Sequence, residues 1–158
     1  MQGHIRRLRY CFEYMLESII DTLRKIIHDG WRPDIAIELP ENNWYWSQPQ
    51  LLGFCSEFNL IPYNFHGCMY GLAAQSGPGK GLLLKKGWCV ATNQATIGNA
   101  LQVKCNHDRS RHTPVQGELT KSTEEYPELM VNWIHYAFNE ANGSRSKGRN
   151  AWSTGQSL

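Results

Sequence analysis

The first residue along this chain with a candidate chemical role is a glutamate. Glu38 closes a short apolar run, and Pro40 follows two positions later. Ligands of open α/β sheets bind outside the carboxyl ends of the strands, so a glutamate there is a candidate for ligand contact. The plainer alternative is a partly exposed glutamate before a loop.

An aromatic run follows Glu38 within eight residues: Trp44, Tyr45 and Trp46. Aromatic rings beside a strand end can stack on nucleobases, but they also fill cores because they bury a large area. We expect Trp44 and Trp46 to form the rim of a nucleic-acid site, with at least one of the three residues packed in the core.

The segment CNHDRSRH, residues 105–112, is dense in cysteine, histidine and arginine. Zinc generally needs four ligands at recognised spacings, and this chain has no C-x-x-C pair. A zinc site would therefore need a fourth ligand brought in by folding, either Cys68 or Cys89. The favoured hypothesis is a polar loop that faces phosphates, through His107, Arg109, Arg111 and His112.

Cys68 lies between glycines in HGCMYG, so a nucleophilic role is conceivable. Without a known partner base, a small buried thiol is the favoured interpretation.

The composition fits a globular chain of 158 residues with a formal net charge of +2. That charge permits a polyanionic partner without requiring one. Five widely spaced cysteines and a basic N-terminus favour a reducing, intracellular location, cytoplasmic or nuclear. No stretch approaches the roughly 18 apolar residues that a membrane span needs.

The elements that must position these residues follow from apolar periodicity. A long amphipathic helix over 5–27 precedes a buried strand at 34–39, which we expect to be parallel. Further along, the pattern predicts a helix after Ser47, a strand at 60–65, one or two strands within 82–92, a short helix within 94–103, a loop over 105–120 and a last helix over 122–138. One domain over 1–140 and a basic, disordered tail over 141–158 are expected.

Five motifs share an order that is typical of one family: ELP, GCMYGL, KKGWCVATN, CNHDRSRHTPVQG and TEEYPELMVNWI. In that order they resemble the C-terminal half of DNA cytosine methyltransferase-like domains, of the divergent kind found in phages and mobile elements. The matching positions are Glu38 and Pro40, Cys68, Tyr70 and Gly71, Lys86, Thr92 and Asn93, Cys105, His112 and Gly117, and Pro127. Leu39 departs from the motif, which has asparagine there.

The resemblance implies a three-layer α/β fold with a partial Rossmann-like sheet, as in class I methyltransferases, and flanking helices. It implies S-adenosylmethionine as cofactor, DNA as partner, and Glu38 as the catalytic carboxylate that holds the flipped cytosine. Tyr70 joins the expected nucleic-acid contacts. The family's glycine-rich cofactor motif and Pro-Cys nucleophile motif are missing from this sequence, so we expect this chain alone to be inactive and to retain nucleic-acid contact.

The runner-up hypothesis is a small zinc-stabilised module that binds nucleic acid or protein. Its expected ligands are Cys89, Cys105, His107 and His112. A third alternative is an interaction or structural relic without a site.

Overall fold

The computed structural model describes residues 2–117, 119–120 and 123–152, with side chains described over 3–117, 119–120 and 123–143. Its helices are α1 (Gln2–His28), α2 (Pro49–Glu57), α3 (Ala95–Leu101) and α4 (Glu128–Trp152), and its strands are β1 (Ala36–Pro40), β2 (Ile61–His66), β3 (Leu83–Leu84), β4 (Gly87–Thr92) and β5 (His112–Thr113). Short 3-10 turns lie at Trp44–Ser47, Gly67–Tyr70 and Arg109–Arg111.

Strand β4 is the centre of the main sheet, whose order is β1-β4-β2 with both pairs antiparallel. Every residue of β4 from Trp88 to Thr92 is buried. The two outer strands each carry a proline, Pro40 and Pro62, which an edge strand tolerates because its outward N–H groups need no sheet partner. Strands β3 and β5 form a separate parallel pair of two residues each.

The sheet separates two apolar cores, and the alternation of side chains along β4 feeds both. Trp88 and Val90 join the core beneath α3 and α4, while Ala91 joins the core beneath α1 and α2. The result is three layers: two helices, a sheet and two further helices.

The α/β composition and the flanking helices are thus confirmed, but the expected parallel strand is wrong. The apolar run at 35–39 pairs antiparallel with β4, from Ala36 opposite Thr92 to Pro40 opposite Trp88. A short apolar run indicates burial, and burial does not specify the direction of the neighbouring strand.

Helix α1 forms where the periodicity predicts it, but the core covers only part of its apolar surface. Leu16 is fully buried, and partly buried side chains pack beside it: Phe12, Ile20, Leu23 and Ile27. Other apolar side chains of the helix are exposed, and these include Ile5 and Leu8 near its start. The sequence predicted one apolar face, and the exposure of Ile5 and Leu8 shows that the core covers only part of it.

Helix α4 begins at Glu128 and continues to Trp152, beyond Asn139, where the sequence predicted its end. Met130 and Ala137 are buried as expected, whereas Trp133 and Phe138 are each 45% exposed. Ser122, the predicted capping residue, and residues 153–158 lie outside the described residues. None of the helices in the described ranges is long and apolar enough to cross a membrane.

Gly98 allows α3 to lie directly on β2. A Cβ built on Gly98 would overlap the aromatic ring of Tyr63. Gly53 on α2 offers a contrast, because nothing lies within 4 Å of a Cβ built there.

We predict that Gly98→Ala destabilises the fold by about 1–3 kcal/mol, because the added methyl group overpacks the contact with Tyr63. Gly53→Ala should instead stabilise the fold by about 0.5–1 kcal/mol, since a glycine inside a helix costs conformational entropy. Urea unfolding of both variants measures the difference. Equal effects at the two glycines would contradict the close packing of α3 on β2.

Candidate functional site

Four side chains that could bind a metal converge at one end of the sheet. The sulfur atoms of Cys68 and Cys105 and one ring nitrogen each of His107 and His112 all lie within 4.8 Å of one another. Cys105 Sγ is 3.7 Å from His107 Nδ1 and 3.4 Å from His112 Nε2.

The two distances from Cys105 Sγ match the edges of a tetrahedral zinc site. With Zn–S near 2.3 Å and Zn–N near 2.0–2.1 Å, a sulfur and a nitrogen ligand stand about 3.6 Å apart. The same distances also suit weak hydrogen bonds between thiol and imidazole. The geometry is therefore compatible with a Cys2His2 metal site and does not require one.

Cys68 is positioned by the 3-10 turn that follows β2. The backbone N–H of Gly67 donates to Lys86 O at 2.8 Å, which anchors the turn beside the start of β4. A Cβ on Gly67 would lie 2.5 Å from the indole ring of Trp88, so only glycine lets the turn approach this closely. The thiol of Cys68 is thereby held at the edge of the core, 2% exposed.

The other three candidate ligands lie on the segment after α3. Its start is tied to β2, because His66 N donates to Val103 O at 3.0 Å and Cys105 N donates to His66 Nδ1 at 2.9 Å. Its end is tied to β3, where His112 pairs with Leu83.

The ring of His112 is oriented for coordination. Its Nδ1 lies 3.1 Å from Asp108 O, a contact that places the proton on Nδ1 and leaves the lone pair of Nε2 facing Cys105. Histidines that bind metals commonly make such a second contact, which fixes the tautomer and the ring plane.

His66 supports this segment as a neutral ring. Burial lowers its pKa, and the positive charges of Lys104 and Lys85 lower it further. Since Nδ1 accepts the Cys105 N–H, the ring proton belongs on Nε2, which faces Glu41 at 3.8 Å. Glu41 is in turn paired with Lys104 at 2.7 Å.

The protonation of Cys68 follows from its surroundings. Burial, together with the hydrogen bond and charge of the nearby Cys105 sulfur, raises the pKa of the Cys68 thiol to about 12. A free Cys68 is therefore a protonated thiol and not an activated nucleophile, since reactivity needs the thiolate. A metal ion would displace that proton on binding.

Cys89, the ligand named in the zinc hypothesis, does not belong to this group. It alternates with Trp88 along β4 and so faces the α2 side of the sheet, where burial raises its pKa to about 11 and Cys55 is a neighbour. Folding supplies Cys68 in its place. The available sequence signal was the position of Cys68 between Gly67 and Gly71, shortly after the strand predicted at 60–65.

Basic side chains border the Cys/His group. Lys85 is close enough to lower the pKa of the Cys68 thiol, and Lys104 acts on His66. Arg109 and Arg111 are exposed on the 3-10 turn between the two histidines. Neither arginine forms an ion pair with any residue that the structure describes.

Glu38 lies in a second polar cluster, on the face of β1 toward α4. Its Oε2 accepts a hydrogen bond from the Tyr126 hydroxyl at 2.5 Å, and Tyr126 packs edge-on against Trp88. Lys86 Nζ donates to Thr123 O at 2.7 Å and to its Oγ1 at 3.1 Å. Glu38 Oε1 is buried and has no hydrogen-bond partner among the residues that the structure describes.

The environment of Glu38 favours the neutral carboxyl group. Burial raises its pKa, and this outweighs the Tyr126 hydrogen bond and the Lys86 charge, which both lower it. Glu38 lies within β1, an antiparallel edge strand, rather than at the carboxyl edge of a parallel sheet where we expected it.

The aromatic run divides between surface and core. Trp44 is 44% exposed, and the Arg9 guanidinium lies 3.9 Å from the centre of its ring. Tyr45 stacks on Phe12 at 3.8 Å, and Trp46 Nε1 donates to Pro40 O at 3.0 Å. At least one ring is thus in core packing, as expected, and Trp44 offers the most open surface.

Tyr70, another expected nucleic-acid contact, is 4% exposed. Its hydroxyl donates to Leu101 O at 2.7 Å, so it ties the end of α3 to the turn that carries Cys68.

Comparison with known proteins returns no match: no protein-family model, no curated protein and no solved structure matches this chain.

We predict that Glu38→Gln makes the protein more stable at pH 7 and that this gain shrinks toward pH 4. The native state keeps the Glu38 proton to higher pH than the unfolded chain, so the free energy of unfolding falls as pH rises between the two pKa values. Glutamine retains an acceptor for Tyr126 but has no charge to bury. Urea unfolding at both pH values measures the effect.

Glu57→Gln is the matched control, because it should change the free energy of unfolding at pH 7 in the opposite direction. The Arg24 hydrogen bond lowers the pKa of Glu57, so this variant should be slightly less stable at pH 7 and equal to wild type at low pH. If the free energies of unfolding of wild type and Glu38→Gln differ by the same amount at both pH values, Glu38 is not a buried ionisable carboxyl group.

Proposed function

We propose that this chain is a small zinc-stabilised module that contacts nucleic acid, with Cys68, Cys105, His107 and His112 as the zinc ligands. One observation supports the zinc site above all: four ligand atoms of the types that zinc prefers lie within 4.8 Å of one another.

A bound zinc ion would have a structural role there. Four protein ligands leave no open position for a substrate, which is typical of structural and not catalytic zinc. The segment 102–111 contains few buried side chains, so hydrophobic burial contributes little to its order. Coordination would join it to the turn at Gly67–Tyr70 and add to the folding free energy.

Nucleic acid is the proposed partner because of the charge around the site. Arg109 and Arg111 project between two zinc ligands, with Lys85 and Lys104 nearby. Arginine and lysine side chains supply most phosphate contacts in nucleic-acid complexes. Trp44 is a candidate stacking surface, since its ring is partly exposed.

A second candidate is the DNA cytosine methyltransferase-like relic that the sequence motifs suggest, with its partial Rossmann-like arrangement. The half-buried carboxyl of Glu38 favours it, because an oxygen without a partner could accept a hydrogen bond from a base. The antiparallel main sheet disfavours it. Under this hypothesis the chain alone would not transfer a methyl group from S-adenosylmethionine, since the sequence has no Pro-Cys pair to supply the nucleophile.

We predict that the full chain binds one zinc ion and that Cys68→Ser weakens this binding at least about tenfold, the size of effect expected when a ligand or its support is altered. Zinc at a thousandfold excess over its dissociation constant should raise the free energy of unfolding by about 4 kcal/mol. Competition with a chromophoric chelator measures the affinity, and Co²⁺ absorption reports tetrahedral thiolate ligation.

Cys89→Ser is the matched control, because it removes a buried thiol on the other face of the sheet and should leave zinc affinity unchanged. A chain that binds no zinc, or equal losses in the two variants, would refute the assigned ligand set.

We predict that Arg109→Ala combined with Arg111→Ala lowers nucleic-acid affinity and reduces the salt dependence by about 2 in the slope of log K against log salt. The control is Lys25→Ala with Arg32→Ala, which removes the same charge from exposed positions near the end of α1. Unchanged affinity after the first pair, with zinc still bound, would exclude the loop as a phosphate contact.

A further inference from the structure

Helix α1 presents apolar side chains that the described part of its own chain leaves exposed. Ile5, Leu8, Met15 and Ile19 are 45%, 51%, 52% and 40% exposed. Leu8 and Met15 lie seven residues apart, with Ile5 three residues before and Ile19 four residues after them, which is the spacing of a seam that packs against another helix. We call these exposed side chains the α1 seam.

Helix α4 presents an apolar groove on its outer surface. Leu129, Trp133 and Tyr136 are 49%, 45% and 58% exposed, and their spacing is also four and three. Together with Asn132 they line a groove of about 390 Å³. The rings of Trp133 and Tyr136 meet edge to face at 5.9 Å and form a wall suited to aliphatic side chains.

The N-terminal part of the α1 seam and the segment around the α4 groove carry opposite charge, while Glu13 and Glu17 follow further along α1. Residues 2–12 contain Arg6, Arg7 and Arg9 and no acidic residue. Residues 123–143 contain no lysine or arginine but four glutamates, which are Glu124, Glu125, Glu128 and Glu140. Arg7 and Glu128 form no ion pair with the described part of their own chain, so both are available to a partner.

The α1 seam and the α4 groove belong to opposite layers of the fold, since α1 packs on one face of the sheet and α4 on the other. One chain cannot bring them together. We propose that the α1 seam of one copy docks in the α4 groove of a second copy, with the arginines of α1 beside the glutamates of α4.

Such a contact joins two different surfaces, and every copy carries one of each. Repetition therefore leads to a closed ring or an open chain. Pairing of two α1 seams would also fit the apolar spacing. In parallel it would bring two sets of arginines together, whereas in antiparallel it would set them beside Glu13 and Glu17. The α4 groove is the better match because its contact with the α1 seam covers both apolar surfaces, and pairing of two α1 seams leaves the groove open.

The test uses two full-length variants, each blocked on one surface. Leu8→Lys places a charge in the α1 seam, and Trp133→Lys places one in the α4 groove. Wild type should associate in a concentration-dependent manner in sedimentation equilibrium, and each variant alone should associate at least about thirtyfold more weakly, as for loss of an interface anchor. Mixed together, the two variants should form a 1:1 complex and nothing larger, because one intact seam meets one intact groove.

Matched controls lie on the same helices outside the two surfaces. Tyr14→Lys on α1 and Phe138→Lys on α4 replace side chains that are 67% and 45% exposed and should associate as wild type does. Circular dichroism and zinc content establish that every variant is folded, which keeps a failure of this proposal distinct from a failure of the zinc site.

Charge reversal provides an independent measurement. Arg7→Glu should weaken association, and Glu128→Arg on the partner should restore it in part. A wild type that stays monomeric overturns the proposal, as does normal association of Trp133→Lys, which would assign the contact to paired α1 seams. Monomeric chains whose Arg7→Glu variant loses nucleic-acid affinity would overturn it in favour of a nucleic-acid surface on α1.

Discussion

The burial of β4 on both faces is the constraint on which the rest of the structure depends. Its side chains alternate between two cores, with Trp88 and Val90 on one side and Ala91 on the other. A strand covered on both faces needs helices in two layers and partner strands on both edges. The positions of α1 to α4 and of β1 and β2 follow from that requirement.

The start of β4 also organises both polar clusters. Lys86 precedes the strand, and its carbonyl anchors the turn that carries Cys68 while its ammonium group donates to Thr123. Trp88 contacts Gly67, which adjoins Cys68 in the Cys/His group, and Tyr126, which binds Glu38. A change at Trp88 would therefore disturb both clusters at once, although no candidate ligand touches Glu38 directly.

Much of the fold could be predicted from periodicity because burial leaves a local signature. The α1 pattern over 5–27 matches Gln2–His28, and the strand before Glu38 is present. Strand direction could not be predicted, since an apolar run looks the same beside a parallel or an antiparallel neighbour. The exposure of part of the apolar surface of α1 was also hidden, because a hydrophobic side chain does not reveal which surface covers it.

The candidate site was only half accessible to sequence reasoning, and the register of the sheet explains why. Cys105, His107 and His112 lie within eight residues, so their grouping is local. Whether Cys68 or Cys89 joins this group depends on the tertiary structure. Side chains of β4 alternate between the two faces of the sheet, so Cys89 points away from the segment 102–111. The pairing of His66 with Gly87 places the end of β2, and with it Cys68, beside that segment. A shift of one residue in that register would reverse the choice. The membership of the Cys/His group thus follows from strand pairing and not from cysteine spacing.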